Sequence, residues 1–196
     1  YGHSSVAEHA VLHIAVENIS RLAVESLESN RLASYTEKST RYQTWEADAF
    51  FVPPELTDPI LKERYVQTCS HLFETYRACI ESVTLHLDAS TPINENESQS
   101  QRARRLRSQA VDACRYLLPA ASLANVGVTI NARALEHALG KMLTHRLREV
   151  REIGTQIKEA ARQSVPTLLK YAGEIPYLRE VCNEFSAVKV APPETP

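Results

Sequence analysis

Ser29-Asn30-Arg31-Leu32-Ala33-Ser34-Tyr35-Thr36-Glu37-Lys38-Ser39-Thr40-Arg41-Tyr42 is the densest polar segment in the first half of the chain. Arg31, Arg41 and Glu37 are interleaved there with the hydroxyls of Ser34, Thr36, Ser39 and Thr40. The segment reads as a loop suited to an anion, because guanidinium forks and hydroxyls match phosphate oxygens. Its position fixes what surrounds it. It follows an apolar stripe of Leu22, Ala23 and Leu27 at helical spacing, and it precedes an aromatic stretch closed by Pro53-Pro54.

Working outward, Leu12, Ile14 and Val16 alternate with His13, Ala15 and Glu17, the period of a half-buried strand over about residues 10–18. From Ser20 the period becomes helical, and the polar end at Glu28 to Asn30 makes the loop emerge from a helix terminus. Residues 43–52, with Thr44, Trp45, Phe50, Phe51 and Val52, read as irregular extended chain or a short strand. Thr57-Asp58-Pro59 is a helix start with a capping hydroxyl and an early proline. Beyond it Leu61, Tyr65, Cys69, Leu72, Tyr76, Ile80, Val83 and Leu87 mark a long amphipathic helix whose partner is a second helix.

After a polar loop from Ser90 to Ser100, the spacing predicts that second helix over about 100–116, with Ala103, Leu106, Ala110, Ala113 and Leu117 inward. Arg102, Arg104, Arg105 and Arg107 crowd elsewhere on it. They read as a solvated face or a subunit contact in preference to a phosphate or RNA site, since no aromatics are interleaved. The stretch up to Ile130 is β-prone, and Asn131 is a helix N-cap. In the helix it opens, Arg133 and His137 share a face. A last long helix over about 145–164 turns Leu147, Val150, Ile153, Ile157 and Ala161 inward and ends before Pro166.

A chain of 196 residues with 43% hydrophobic content can bury one core, so residues 1–190 read as a single domain and 191–196 as a disordered tail. A formal charge of −2 removes the general field that nucleic-acid binding needs, so any anion site is local. Cys69, Cys79, Cys114 and Cys182 lack metal or disulfide spacing and read as small buried hydrophobes of a reducing compartment. No apolar run approaches the roughly 20 residues that cross a bilayer, and the reading is a cytoplasmic protein with no membrane partner. Glu8 with His3, His9 and His13 invites a metal. On a strand, however, His9 and His13 stand apart at about 3.3 Å per residue, and no metal site is assigned. There is no defensible serine-histidine-acid set and no Gly-rich phosphate loop.

Arg31, seven intervening residues and Ser39, continuing to Arg41-Tyr42, resemble the Arg-His-Arg-x7-Ser signature of the flavin-dependent thymidylate synthases. Three further segments resemble that family in the same order: Tyr1-Gly2-His3-Ser4-Ser5-Val6-Ala7-Glu8-His9, Cys114-Arg115-Tyr116-Leu117-Leu118-Pro119, and Thr129-Ile130-Asn131-Ala132-Arg133-Ala134-Leu135. The family opens with a strand and helix before this point, which implies an upstream portion outside this chain. The resemblance implies an α+β fold within the wider α/β class: a helix-rich domain with a small, mostly antiparallel sheet flanked by helices. It also implies a homo-oligomer, tetrameric in the family, that converts dUMP to dTMP with FAD, NADPH and methylenetetrahydrofolate.

Carried over by position, Ser5, Glu8, Asn30, Arg31, Asn131, Arg133 and His137 are the flavin contacts. Glu37, Ser39, Arg41 and Arg115 contact the nucleotide. Ser5 with Glu8 equally suits a capped turn, and Asn131 a helix cap alone. The chain departs from the family in two places. Ser29-Asn30 replaces Arg-His, and two lost charged contacts at about 1.5–3 kcal/mol each correspond to roughly 10²–10⁴ in affinity. The late arginine that polarises the pyrimidine falls on Lys141 or Met142, depending on the alignment anchor, and Lys141 is the catalytic candidate. The alternative is a homologue without catalysis, acting as a nucleotide-binding or protein-interaction scaffold.

Overall fold

A computed structural model describes residues 4–42 and 44–187. The Tyr1-Gly2-His3 start of the entry motif and the expected disordered tail at 191–196 lie outside them. In chain order the elements are a 3-10 turn (Ser4–His9), β1 (Val11–Ser20), α1 (Arg21–Glu28), β2 (Ala33–Glu37), α2 (Pro59–Ser90) and α3 (Gln99–Cys114). A short 3-10 turn (Arg115–Leu117), β3 (Leu123–Asn131), α4 (Ala132–Leu143), α5 (Arg148–Arg162) and α6 (Pro176–Ala187) follow. The fold is α+β, helix-rich around one small sheet.

The strands run in the order β1-β3-β2. Their pairing is antiparallel: His13 meets Thr129 while the Asn18 backbone N–H donates to Asn125 Oδ1 at 2.8 Å, and Lys38 N–H donates to Asn125 O at 3.1 Å. Alternate residues of β3, Ala124, Val126, Val128 and Ile130, are buried, as a strand with one core face requires. The polar stretch read as a loop therefore contains a strand. Tyr35 anchors it, its hydroxyl donating to Leu27 O at 3.0 Å and Asn30 O at 2.7 Å. The aromatic and β-branched pair Tyr35-Thr36 favours pairing that the surrounding polarity conceals.

The chain divides into two compact units interleaved in sequence. The first comprises 1–16, 23–36 and 127–196. Its core is built by Ala23, Val24 and Leu27 of α1, Leu135, Leu139 and Met142 of α4, and Val150, Ile153 and Ile157 of α5. Helices α4 and α5 close on Gly154, where an added Cβ would stand 3.0 Å from Met142 Cβ. Asn131 caps α4 as expected, accepting from Ala134 N–H at 2.8 Å. Leu147 is the residue before α5 and only half-buried. Helix α6 has no counterpart in the sequence reading.

The second unit comprises 17–22 and 37–126. Here α2 and α3 form a hairpin around Tyr76, Ile80, Ala110, Val111 and Cys114. Asp58, not the Thr57 hydroxyl, caps α2, accepting from Ile60 N–H at 2.8 Å. The buried stripe of α3 is Leu106, Ala110, Val111 and Cys114, so Ala103 and Ala113, expected inward, face outward. Alanine fits either side of a helix, and the larger Leu106 and Val111 decide the rotation. Two arginines of the crowded face fold onto the hairpin. Arg102 Nη2 donates to Asp88 O at 2.8 Å and Thr91 O at 3.0 Å, closing the end of α2, and Arg105 holds Glu97 with two 2.7 Å bonds. None of the four cysteines is in a disulfide; Cys69 and Cys114 are buried and Cys79 and Cys182 half-buried.

Candidate functional site

In the first unit, Asn30, Arg31, Ile130, Ala134, His137 and Lys141 line a cavity of about 240 Å³. The connection between α1 and β2 supplies one wall. The other is α4, where positions 134, 137 and 141 recur at helical steps and share a face. The side chains of Arg31, His137 and Lys141 make no hydrogen bond or ion pair to another described residue, and all three residues line the cavity. Asn30 is different. It is buried, its Nδ2 donates to Leu27 O at 2.9 Å to close α1, and its Oδ1 has no partner. Met142, the other position onto which the late arginine falls, is buried in the core, whereas Lys141 reaches the cavity.

Ser29 and Lys141 also line a second cavity of about 270 Å³ with Glu25, Ser26, Met142 and His145. His145 is not among the candidate site residues of the sequence reading. Its Nδ1 accepts the Leu147 N–H at 3.1 Å, so the ring proton sits on Nε2, 3.5 Å from Ser26 Oγ. Burial, and then the nearby Arg146 and Arg151, lower its pKa from the usual histidine value and keep it neutral.

The remaining flavin candidates lie along the N-terminal end of the same unit. Glu8 pairs with Arg133 at 2.5 Å, both about half exposed. Ser5 is exposed and Asn131 is occupied as the α4 cap. His9 ends the first 3-10 turn and so is not on the strand with His13; His13 Nδ1 lies 2.9 Å from Thr129 Oγ1.

The nucleotide candidates fall in the second unit. Glu37 is ion-paired with Arg21. The Arg41 backbone N–H donates to Ser39 Oγ at 3.2 Å, and Arg41 and Arg115 share the Asp112 carboxylate, Nε to Oδ1, at 3.4 and 3.0 Å. Arg115 also reaches Thr40 Oγ1 at 3.4 Å and the Tyr116 hydroxyl at 3.2 Å, with its guanidinium carbon 5.0 Å from the Tyr116 ring centre. A cavity of about 330 Å³ is lined here by Arg21, Thr40, Trp45, Arg115, Tyr116 and Ser122. Trp45, the chain's single tryptophan, is buried with its indole N–H on Leu123 O at 2.5 Å. Arg21, Thr40, Trp45 and Asp112 were not singled out as site residues. Only Asp112 left a local signal, the i, i+3 spacing to Arg115.

Over residues 1–167 the sequence matches the family described as Thymidylate synthase complementing protein. The UPF0159 protein of Chlamydia pneumoniae is 33% identical over 178 residues, covering 88% of this chain and 34% of the relative. The flavin-dependent thymidylate synthase of Geobacter sulfurreducens is 32% identical over 175 residues, covering 88% of this chain and 65% of the relative. This chain thus spans about a third of the UPF0159 relatives it matches. The fold is similar to that of the flavin-dependent thymidylate synthase ThyX from Helicobacter pylori, solved with FAD and dUMP, at a TM-score of 0.59 and 20% identity over 88% of this chain and 77% of that one. No helix of the described residues is long and apolar enough to cross a membrane. With the family model matched over residues 1–167, the chain belongs to the thymidylate synthase complementing protein family.

Proposed function

We propose that this chain is a flavin-dependent thymidylate synthase-type domain that takes a flavin nucleotide at the cavity of the first unit and dUMP at the cavity of the second. The observation that carries the reading is the set Arg31, His137 and Lys141, three cation-capable side chains around an apolar floor with no hydrogen bond or ion pair to another described residue's side chain. Such a lining suits a planar, partly apolar ring bearing anionic groups. The donor set therefore fits FAD, with Arg31 and Lys141 on its anionic portions and Ile130 and Ala134 against a ring. When bound, FAD supplies the redox chemistry by which the methylene of methylenetetrahydrofolate, with NADPH as reductant, becomes the methyl group of dTMP.

The chain's own residues bind and orient. Arg115, with Thr40 beside it, offers guanidinium and hydroxyl donors to the dUMP phosphate. Glu37 and Ser39 stand at positions that contact the nucleotide in the family. Lys141 supplies positive charge where the late arginine is missing, without the planar bidentate fork that a guanidinium gives.

A second reading, ligand binding without turnover, is favoured by one observation: the buried Met142 and the solitary ammonium of Lys141 leave no guanidinium at that position. Titration with FAD, followed by visible absorbance and Trp45 emission with and without dUMP, separates the possibilities. Saturable FAD binding altered by dUMP, with dTMP formed on adding the folate donor and NADPH, supports the enzyme. Coupled binding without dTMP supports the scaffold, and no binding of either ligand removes both.

A further inference from the structure

We propose that Asp112 is a positioning residue that sets the Arg115 guanidinium, with Arg41 drawn to the same carboxylate, for the ligand's phosphate. The proposal rests on the reading of the second unit as the dUMP site and names a residue that this reading does not use. Asp112 Oδ1 lies 3.0 Å from Arg115 Nε and 3.4 Å from Arg41 Nε, so one carboxylate tethers two guanidiniums that would otherwise repel each other.

Helix energetics give no reason for an acid at this position. Residue 112 lies in the last turn of α3, where the carbonyl ends carry partial negative charge and an aspartate is disfavoured. The arginines account for it. The Asp112 carboxylate stands on the Nε side of Arg115 as an ion pair without a hydrogen bond, while the two Nη atoms meet Thr40 and Tyr116 at the long distances of 3.4 and 3.2 Å. Each Nη carries two N–H donors, so one on each remains uncommitted on Arg115. Because Thr40 Oγ1 accepts from Nη1, its own proton is free to donate. Thr40 and Arg115 both line the 330 Å³ cavity, so these donors converge on one space, and the chemistry they match is a phosphate dianion.

The test compares dUMP with deoxyuridine, which differ only by the phosphate, in wild type, Asp112→Asn and Asp112→Glu. Binding is read by calorimetry and by the emission of Trp45, which lines the same cavity. Asparagine keeps the size and removes the charge. The expected result is a rise of about tenfold in the dUMP dissociation constant for Asp112→Asn, an unchanged value for deoxyuridine, and recovery of most of the dUMP affinity in Asp112→Glu. Equal weakening of both ligands, or no change in either, overturns the positioning role even if wild type binds dUMP. Failure of wild type to bind dUMP at all removes the nucleotide-site reading and this proposal together.

Discussion

Position 30 shows how one residue changes meaning between sequence and structure. By position, Asn30 is a flavin contact; in the fold it is a buried plug whose amide closes α1 on Leu27 O. Its neighbour Ser29 is exposed beside the cavity, with its hydroxyl donating to Ser26 O. Restoring the family's Arg-His at 29 and 30 therefore splits into two unlike substitutions. Ser29→Arg adds a cation to the cavity rim at a tolerant surface position, and FAD binding is expected to tighten about tenfold, with stability changed by less than about 0.5 kcal/mol. Asn30→His forces a larger ring into a closed space and is expected to cost about 1–3 kcal/mol of stability. Urea denaturation and FAD titration of the two single variants check this. A stable Asn30→His with Ser29→Arg unchanged in affinity would move the flavin away from this cavity.

At the scale of elements, two contacts fix helix pairs, and each predicts its own signature. Gly154 lets α5 approach α4 so closely that a methyl group would stand 3.0 Å from Met142 Cβ. Neither backbone-attached carbon can swing aside. Gly154→Ala is expected to destabilise by about 1–3 kcal/mol despite alanine's better helix propensity, and a thermal midpoint equal to or above wild type would contradict the packing. In the α2–α3 hairpin, hydrogen bonding from Arg105 holds the Glu97 carboxyl down at about 2, with a further contribution from the Asn94 N–H. A carboxylate whose pKa is depressed by folding stabilises fully above its unfolded value, near 4.3, and that stabilisation is lost as pH falls towards about 2. The difference in thermal midpoint between wild type and Glu97→Gln should be largest near neutrality and vanish across that window. A difference independent of pH would mean that the charge is not what locks the loop.

These elements also show what the sequence reveals. Strand β1, helices α1, α2, α4 and α5, and the cap at Asn131 are legible because period and capping residues are local signals. Strand β2 is not, because its pairing partner β3 lies about ninety residues away and its own pattern is polar. The rotation of α3 is ambiguous because alanines populate both faces. In the site, the residues on one helix face, His137 and Lys141, are found by spacing. Trp45 and Arg21 come from segments with no local mark of function, and only folding places them with Arg115.

For the whole molecule, the sizes of the cavities set a condition on function. Sites that enclose drug-sized ligands run from about 300 to 1,000 Å³. The two cavities that Lys141 lines, about 240 and 270 Å³, each fall short of that range, and FAD is larger than most drugs. On the flavin reading, Arg31, His137 and Lys141 would grip only part of the cofactor, and a second copy of the chain is expected to cover the remainder, in keeping with the homo-oligomer that the family resemblance implies. Linkage then requires FAD and self-association to strengthen each other. The apparent FAD affinity should rise with protein concentration through the range where sedimentation velocity shows assembly, and FAD should shift the sedimenting species to larger size. An affinity independent of protein concentration, with a monomer saturated by one FAD, would show that the cavities of a single chain suffice.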